Sequence, residues 1–177
     1  MQVAFVIGHN EKSKGAINEL NGLREFEFYT EVMKEFPNHD IYRHDSSIRG
    51  YTPRMKATAS RINQNEYDLV MLLHFNSFKS ASATGCSTLY YGNNPEGQRL
   101  AQEFSNLVNA KTGIKLRHGG TKALTSVRDR GYAMVYAPKA TTILIEPFFG
   151  SNLTDCSKFD VCSMAKIIKE FIKWKHS

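Results

Sequence analysis

The 177-residue sequence contains no apolar stretch approaching the roughly 20 residues needed to cross a bilayer. It has no internal repeat, no low-complexity tract and no basic run interleaved with aromatics, which removes solenoids, linker-rich chains and dedicated nucleic-acid modules. Cysteine is scarce: Cys86, Cys156 and Cys162 are odd in number and form no Cys-x-x-Cys pair, so neither a disulfide framework nor a thiolate metal site is expected, and all three read as packing residues. Residues 1–8 lack a basic segment and are too short for a secretory core, which predicts synthesis in the cytoplasm without a signal peptide. What remains is 41% hydrophobic and 23% charged, the balance of one soluble domain over residues 1–177 with a core of its own. The formal net charge of +6 favours polyanionic partners but, spread from Lys12 to Lys175, selects none.

Hydrophobic periodicity gives alternating strands and helices. Gln2–Ile7 is short, apolar and β-branched and reads as a buried first strand ending at Gly8-His9. Leu23, Phe26, Tyr29 or Thr30, Met33 and Phe36 recur at helical spacing until Pro37. Asp40–Arg43 is a candidate short strand, and Thr52-Pro53 predicts an N-cap with proline in the first helical position, opening a helix towards Asn65. Asp68–His74 holds five consecutive apolar residues, as expected of a strand covered on both faces in a parallel sheet. Gly85–Tyr91 predicts another strand, and Asn94-Pro95 opens a helix through Ala110 that closes at Gly113. Arg117–Gly131, with its Gly-Gly pair and mixed charge, predicts an exposed loop with at most short strands. Thr141–Glu146 is a β-branched strand, and Ser157–Trp174 carries Val161, Met164, Ile168, Phe171 and Ile172 on one helical face. The fold class expected is α/β, a mostly parallel central sheet with helices on both faces, where ligands gather at the carboxyl ends of strands.

Three of these strands end in ionisable residues, His9, His74 and Glu146, which share one edge of a parallel sheet. Glu25, near the start of the first helix, can lay a carboxylate over the same edge. Two imidazoles and a carboxylate form a three-ligand zinc site with a position open for water, the arrangement of a catalytic site. Zinc lowers the pKa of such a water from 15.7 to about 7, and Glu146, left free, can act as general base and then general acid. Taken singly, His9 and His74 are more often polar strand termini, and Glu25 beside Glu27 and Glu31 reads as a solvated helix face. Glu146 differs, because a carboxylate between Thr-Thr-Ile-Leu-Ile and Pro-Phe-Phe is flanked by buried residue types, where a charge without a purpose is costly. Glu25, Phe28, Tyr29 and Val32 share a helical face, whereas Glu27 lies about 160° round from Glu25.

Ile7-Gly8-His9, Asn21-Gly22-Leu23-Arg24-Glu25, His74-Phe75-Asn76-Ser77 and Ile145-Glu146-Pro147-Phe148-Phe149-Gly150-Ser151-Asn152, in this order, resemble the motifs of the type 3 N-acetylmuramoyl-L-alanine amidases, which include bacterial autolysins and phage endolysins. The resemblance spans essentially the whole chain and departs from the common pattern at Asn10, where a glycine often follows the first histidine. It implies that His9, Glu25 and His74 bind one zinc ion and that Glu146 is the catalytic glutamate, with Asn76 and Asn152 supporting the site. It implies further that the substrate is peptidoglycan, cut between N-acetylmuramic acid and L-alanine, with no organic cofactor, no nucleic acid and no membrane insertion. Arg128 and Arg130 are candidates to meet stem-peptide carboxylates, against the alternative of solvated surface arginines.

A single domain with no separate wall-binding module and no signal peptide suits a phage endolysin made in the cytoplasm and acting on the wall after release. Two other readings stand beside it: a zinc metallopeptidase of carboxypeptidase type cutting inside the stem peptide, and a binding module without turnover. Zinc amidases with a cysteine ligand are disfavoured, since no cysteine here sits in a suitable motif. His39, His44, His118 and His176 read as surface histidines.

Overall fold

In a computed structural model the chain is described over residues 1–173, with Trp174 and His176 outside the described residues. The elements are β1 (Val3–Ile7), α1 (Glu25–Met33), β2 (Asp40–Arg43), α2 (Tyr51–Ile62), β3 (Leu69–Leu73), β4 (Cys86–Tyr91), α3 (Pro95–Thr112), β5 (Leu116–Leu124), α4 (Tyr132–Tyr136), β6 (Thr141–Glu146), α5 (Leu153–Cys156) and α6 (Val161–Lys173). The strands form one sheet in the order β2-β1-β3-β6-β4-β5. The first four of these are mutually parallel; β4 runs antiparallel to β6, and β5 parallel to β4.

Continuous apolar strands at the centre have the covering they need on both faces. Phe5, Met71 and Ile143 point into a core shared with Phe28 and Tyr29 of α1, Phe104 of α3 and Ile168 of α6. Their strand neighbours Val6, Leu72 and Leu144 point the other way, onto Met55 and Ile62 of α2 and Met134 and Val135 of α4. The result is an α/β sandwich with helices on both faces of a mostly parallel sheet.

Differences from the sequence reading lie where local signals compete. The helix expected from Thr52 starts at Tyr51, after Gly50 at φ 91°, so Pro53 is the third helical residue. That costs nothing, because first-turn N–H groups have no intrahelical partner. Arg117–Gly131, expected as a loop with at most short strands, contributes most of the nine-residue strand β5, and α4 follows directly. The Gly-Gly signal was real but marks an irregularity within a strand: His118, Gly119 and Gly120 all have positive φ, and the register with β4 shifts there. The closing helix begins at Val161, not Ser157, since Asp160 and Ser163 cap it reciprocally, with Asp160 Oδ1 accepting from Ser163 N–H at 2.7 Å and Ser163 Oγ from Asp160 N–H at 2.9 Å. Cys86 and Cys156 are buried packing residues, whereas Cys162 is exposed.

Candidate active site

Register sets the site. Ile7 pairs with Leu73, and Leu73 with Ile145, so Gly8, His74 and Glu146 are the next residues across three adjacent parallel strands. Gly8 is required there, since a Cβ on it would overlap the His74 imidazole. His9 follows in a left-handed conformation at φ 67°, which swings its ring back towards His74, 5.2 Å between ring centroids. Such a backbone state is uncommon outside glycine and asparagine and is found most often where function demands it. Asn10 closes the turn, its Oδ1 accepting from the N–H groups of Lys12 and Ser13 at 3.0 Å each.

Glu25 opens α1 and is buried. Its Oε1 accepts from Ala16 N–H at 2.9 Å and lies 3.4 Å from His9 Nε2; its Oε2 accepts from Phe75 N–H at 3.2 Å and lies 3.0 Å from His74 Nδ1. One turn later Tyr29 donates from its hydroxyl to the His74 carbonyl at 2.7 Å, fixing the helix over the end of β3. Burial alone would raise the Glu25 pKa, but the hydrogen bond with His74 and the closeness of both His74 and His9 outweigh it and bring it to about 2. The competing glutamates are accounted for on the surface: Glu27 pairs with Lys14 at 2.6 Å and Glu31 with Lys34 at 2.6 Å.

Ligand atoms of His9, Glu25 and His74 all lie within 4.8 Å of one another. The donor set fits a divalent metal such as zinc, two nitrogens and a carboxylate oxygen. His9 Nε2 adds a reason: it is buried with only Glu25 Oε1 near it, at 3.4 Å and without good hydrogen-bond geometry, a state that a cation would relieve. Gly15 gives the cluster its roof, since a Cβ there would come within 2.6 Å of His9 and 2.9 Å of Glu25.

Glu146 stands beside this cluster, partly open to a cleft of about 740 Å³. Asn76 Nδ2 donates to its Oε2 at 2.9 Å. Burial raises its pKa; the charge of His74 opposes this, and Glu25 adds to it. Asn76 is itself anchored by the chain beyond β3 and β6, where its N–H donates to Phe148 O at 2.9 Å and its carbonyl accepts from Gly150 N–H at 2.8 Å. Asn152 makes no contact with the site; it caps α5 through Asp155 N–H at 3.0 Å and donates to Ala81 O at 2.9 Å.

His44 is a correction. Expected as a surface histidine, it is buried and lines the cleft. Thr58 Oγ1 donates to Arg54 O at 3.2 Å, so at 2.9 Å it accepts from His44 Nδ1–H, which fixes the tautomer and leaves Nε2 as an acceptor. Burial, reinforced by the charges of His74, Arg54 and His9, lowers its pKa to about 3. The strand-end rule that singled out His9 would have found it, because β2 ends at Arg43 opposite Ile7. Arg54, Arg117 and Lys122, also on the cleft wall with Arg128 and Arg130, carried no local sequence signal.

A cluster able to hold a cation beside a free carboxylate, on the carboxyl edge of a mostly parallel α/β sheet, is an arrangement suited to hydrolysis of amide or ester bonds. The family described as N-acetylmuramoyl-L-alanine amidase matches residues 3–173, and the chain belongs to it; it is a peptidoglycan amidase. Solved structures of the same fold include the putative N-acetylmuramoyl-L-alanine amidase from Neisseria meningitidis, with a TM-score of 0.74 and 24% identity over 98% of this chain and 95% of that one. The catalytic domain of the CD27L endolysin targeting Clostridia difficile gives 0.72 and 21% over 97% and 96%. The N-acetylmuramoyl-L-alanine amidase AmiC2 of Nostoc punctiforme gives 0.71 and 20% over 100% and 98%. At these identities the likeness is one of fold. No curated protein sequence matches the chain.

Proposed function

We propose that the chain is a zinc-dependent enzyme that hydrolyses the amide between the lactyl group of N-acetylmuramic acid and L-alanine, and that it serves as a phage endolysin. The observation that carries the zinc reading is the convergence of His9, Glu25 and His74, with His9 Nε2 buried and lacking a well-formed hydrogen bond. Bound there, zinc supplies Lewis acidity that polarises the scissile carbonyl and acidifies a water. His9, Glu25 and His74 hold the ion. Glu146 takes a proton from the attacking water as the carbon–oxygen bond forms, and returns it to the alanine nitrogen as the carbon–nitrogen bond breaks. The products are a lactyl carboxylate and a stem peptide with a free amine. Asn76 keeps the Glu146 carboxylate turned to the cleft. An endolysin catalytic domain shares this fold, so the fold is compatible with that role, as it is with the bacterial amidases that share it equally.

Purified peptidoglycan digested with and without a chelator, then with zinc restored, tests the reading through the masses released. Intact stem peptides beginning at L-alanine, appearing only with zinc, are expected. Stem peptides cut internally would transfer the site to a metallopeptidase. Glu146→Gln is expected to retain bound zinc and lose at least 100-fold in turnover, the usual range for a general acid–base; retained turnover would place the base elsewhere.

A further inference from the structure

Five cations line the cleft: Arg54 of α2, Arg117 and Lys122 of β5, and Arg128 and Arg130 of the segment before α4. Among the described residues none of the five has a carboxylate partner, whereas Lys14, Lys34, Arg99, Lys111 and Lys169, on other surfaces, all pair with glutamates. The cleft holds three carboxylates against five cations, and none forms a close ion pair with this wall, although Arg130 and Lys122 lie near enough to Glu146, and Lys122 to Asp129, to act on them through charge. Glu25 and Glu146 sit at the reaction end, and Asp129 turns to its own loop, its Oδ2 accepting from the N–H groups of Thr125 and Ser126 at 2.9 Å each. Arg54 Nε is buried without a partner, and the Arg117 guanidinium is set against the Phe149 ring at 5.0 Å, just past Glu146. Like charges gathered in one concavity repel one another, a cost that a fold carries where a ligand of opposite charge is received.

We propose that this wall is a carboxylate subsite that selects stem peptides whose acidic groups are free over those in which they are amidated. The inference rests on the amidase reading and names the substrate class for the same site. Position favours a peptide over a wall polymer, because the cations share one cleft with Glu146, and two extended residues beyond the cut bond span about 7 Å. The second stem residue, a glutamate, and the third, where it is diaminopimelate, carry carboxylates in some walls and carboxamides in others. A guanidinium takes a carboxylate through two parallel N–H bonds, and the amide leaves one of those donors facing an NH2 group.

The test uses two soluble muramyl peptides that differ only in whether those groups are acid or amide. Hydrolysis is measured by the holoenzyme, and binding by zinc-loaded Glu146→Gln, which reports preference without turnover. Tenfold or more in favour of the free acid is expected, carried by KM and by binding. The preference should be lost in Arg128→Gln/Arg130→Gln and kept in Lys111→Gln, which removes the same kind of charge from a distant helix. Equal binding and equal hydrolysis of the two peptides would overturn the proposal, and inhibition by a soluble polyphosphate alone would give the wall to an anionic polymer. Preference in binding with neither peptide cut would leave the subsite standing and remove the amidase reading.

Discussion

At the scale of single residues, Asn76 and His44 have opposite electrostatic tasks. Asn76 donates to Glu146 and so favours its ionised form against a burial that disfavours it. In Asn76→Ala the Glu146 pKa rises further, and the acid limb of kcat/KM moves to higher pH, by about one pH unit for a hydrogen bond worth ~1.5 kcal/mol more to the charged acceptor. A pH–rate profile of the two proteins checks this, and coincident profiles would mean that Asn76 only shapes the loop. His44 is neutral in the fold, where its pKa is held down to about 3, while in the unfolded chain it takes the ordinary histidine value of about 6.5. Between those values the unfolded chain binds the proton and the fold does not, so stability is lost as pH falls from 6.5 towards 3. His44→Gln lacks that dependence. Its deficit in melting temperature relative to the parent should therefore shrink over this window.

At the scale of elements, β6 and α5 are held to the loop before β4 by a buried carboxylate that the sequence reading passed over. Asp155 accepts from Thr84 Oγ1 at 2.6 Å, Gly85 N–H at 3.3 Å and Phe149 N–H at 3.1 Å. Asp155→Ala leaves those donors buried and unpaired, at about 3 kcal/mol in total, which chemical denaturation would report as a lower midpoint at unchanged slope. The contrast with Glu146 explains what the sequence made legible. Glu146 ends a β-branched strand, so periodicity and position expose it, and the same holds for His74 after Leu69–Leu73. Glu25 was separable from Glu27 because three residues share its helical face and pack against the sheet. Asp155 lies in a helix of four residues, too short for any period to declare which side chains turn inward, whereas His44, just past the four-residue strand β2, was within reach of the strand-end rule alone. The strand β5 was hidden because its glycines, read one at a time, signal a turn, and only pairing with β4 makes them a bulge.

At the scale of the whole molecule, the net charge of +6 and the unpaired cations of the cleft act together on an anionic wall. The screening length shortens from about 30 Å at 0.01 M salt to about 8 Å at 0.15 M. Clearing of whole walls should slow several-fold across that range, while hydrolysis of a small soluble fragment, governed by contacts inside the cleft, changes less. Salt-independent clearing would remove long-range attraction from the account.

The irregular strand β5 has a consequence of a different kind. It is one outer strand of the sheet, and a straight outer strand is a template on which a second chain can stack. Three successive positive-φ residues at His118, Gly119 and Gly120 break the row of free amides and carbonyls into pieces too short to copy. The same irregular strand that sets Arg117 and Lys122 on the cleft wall thus also guards the edge of the sheet against pairing with a second copy of the chain.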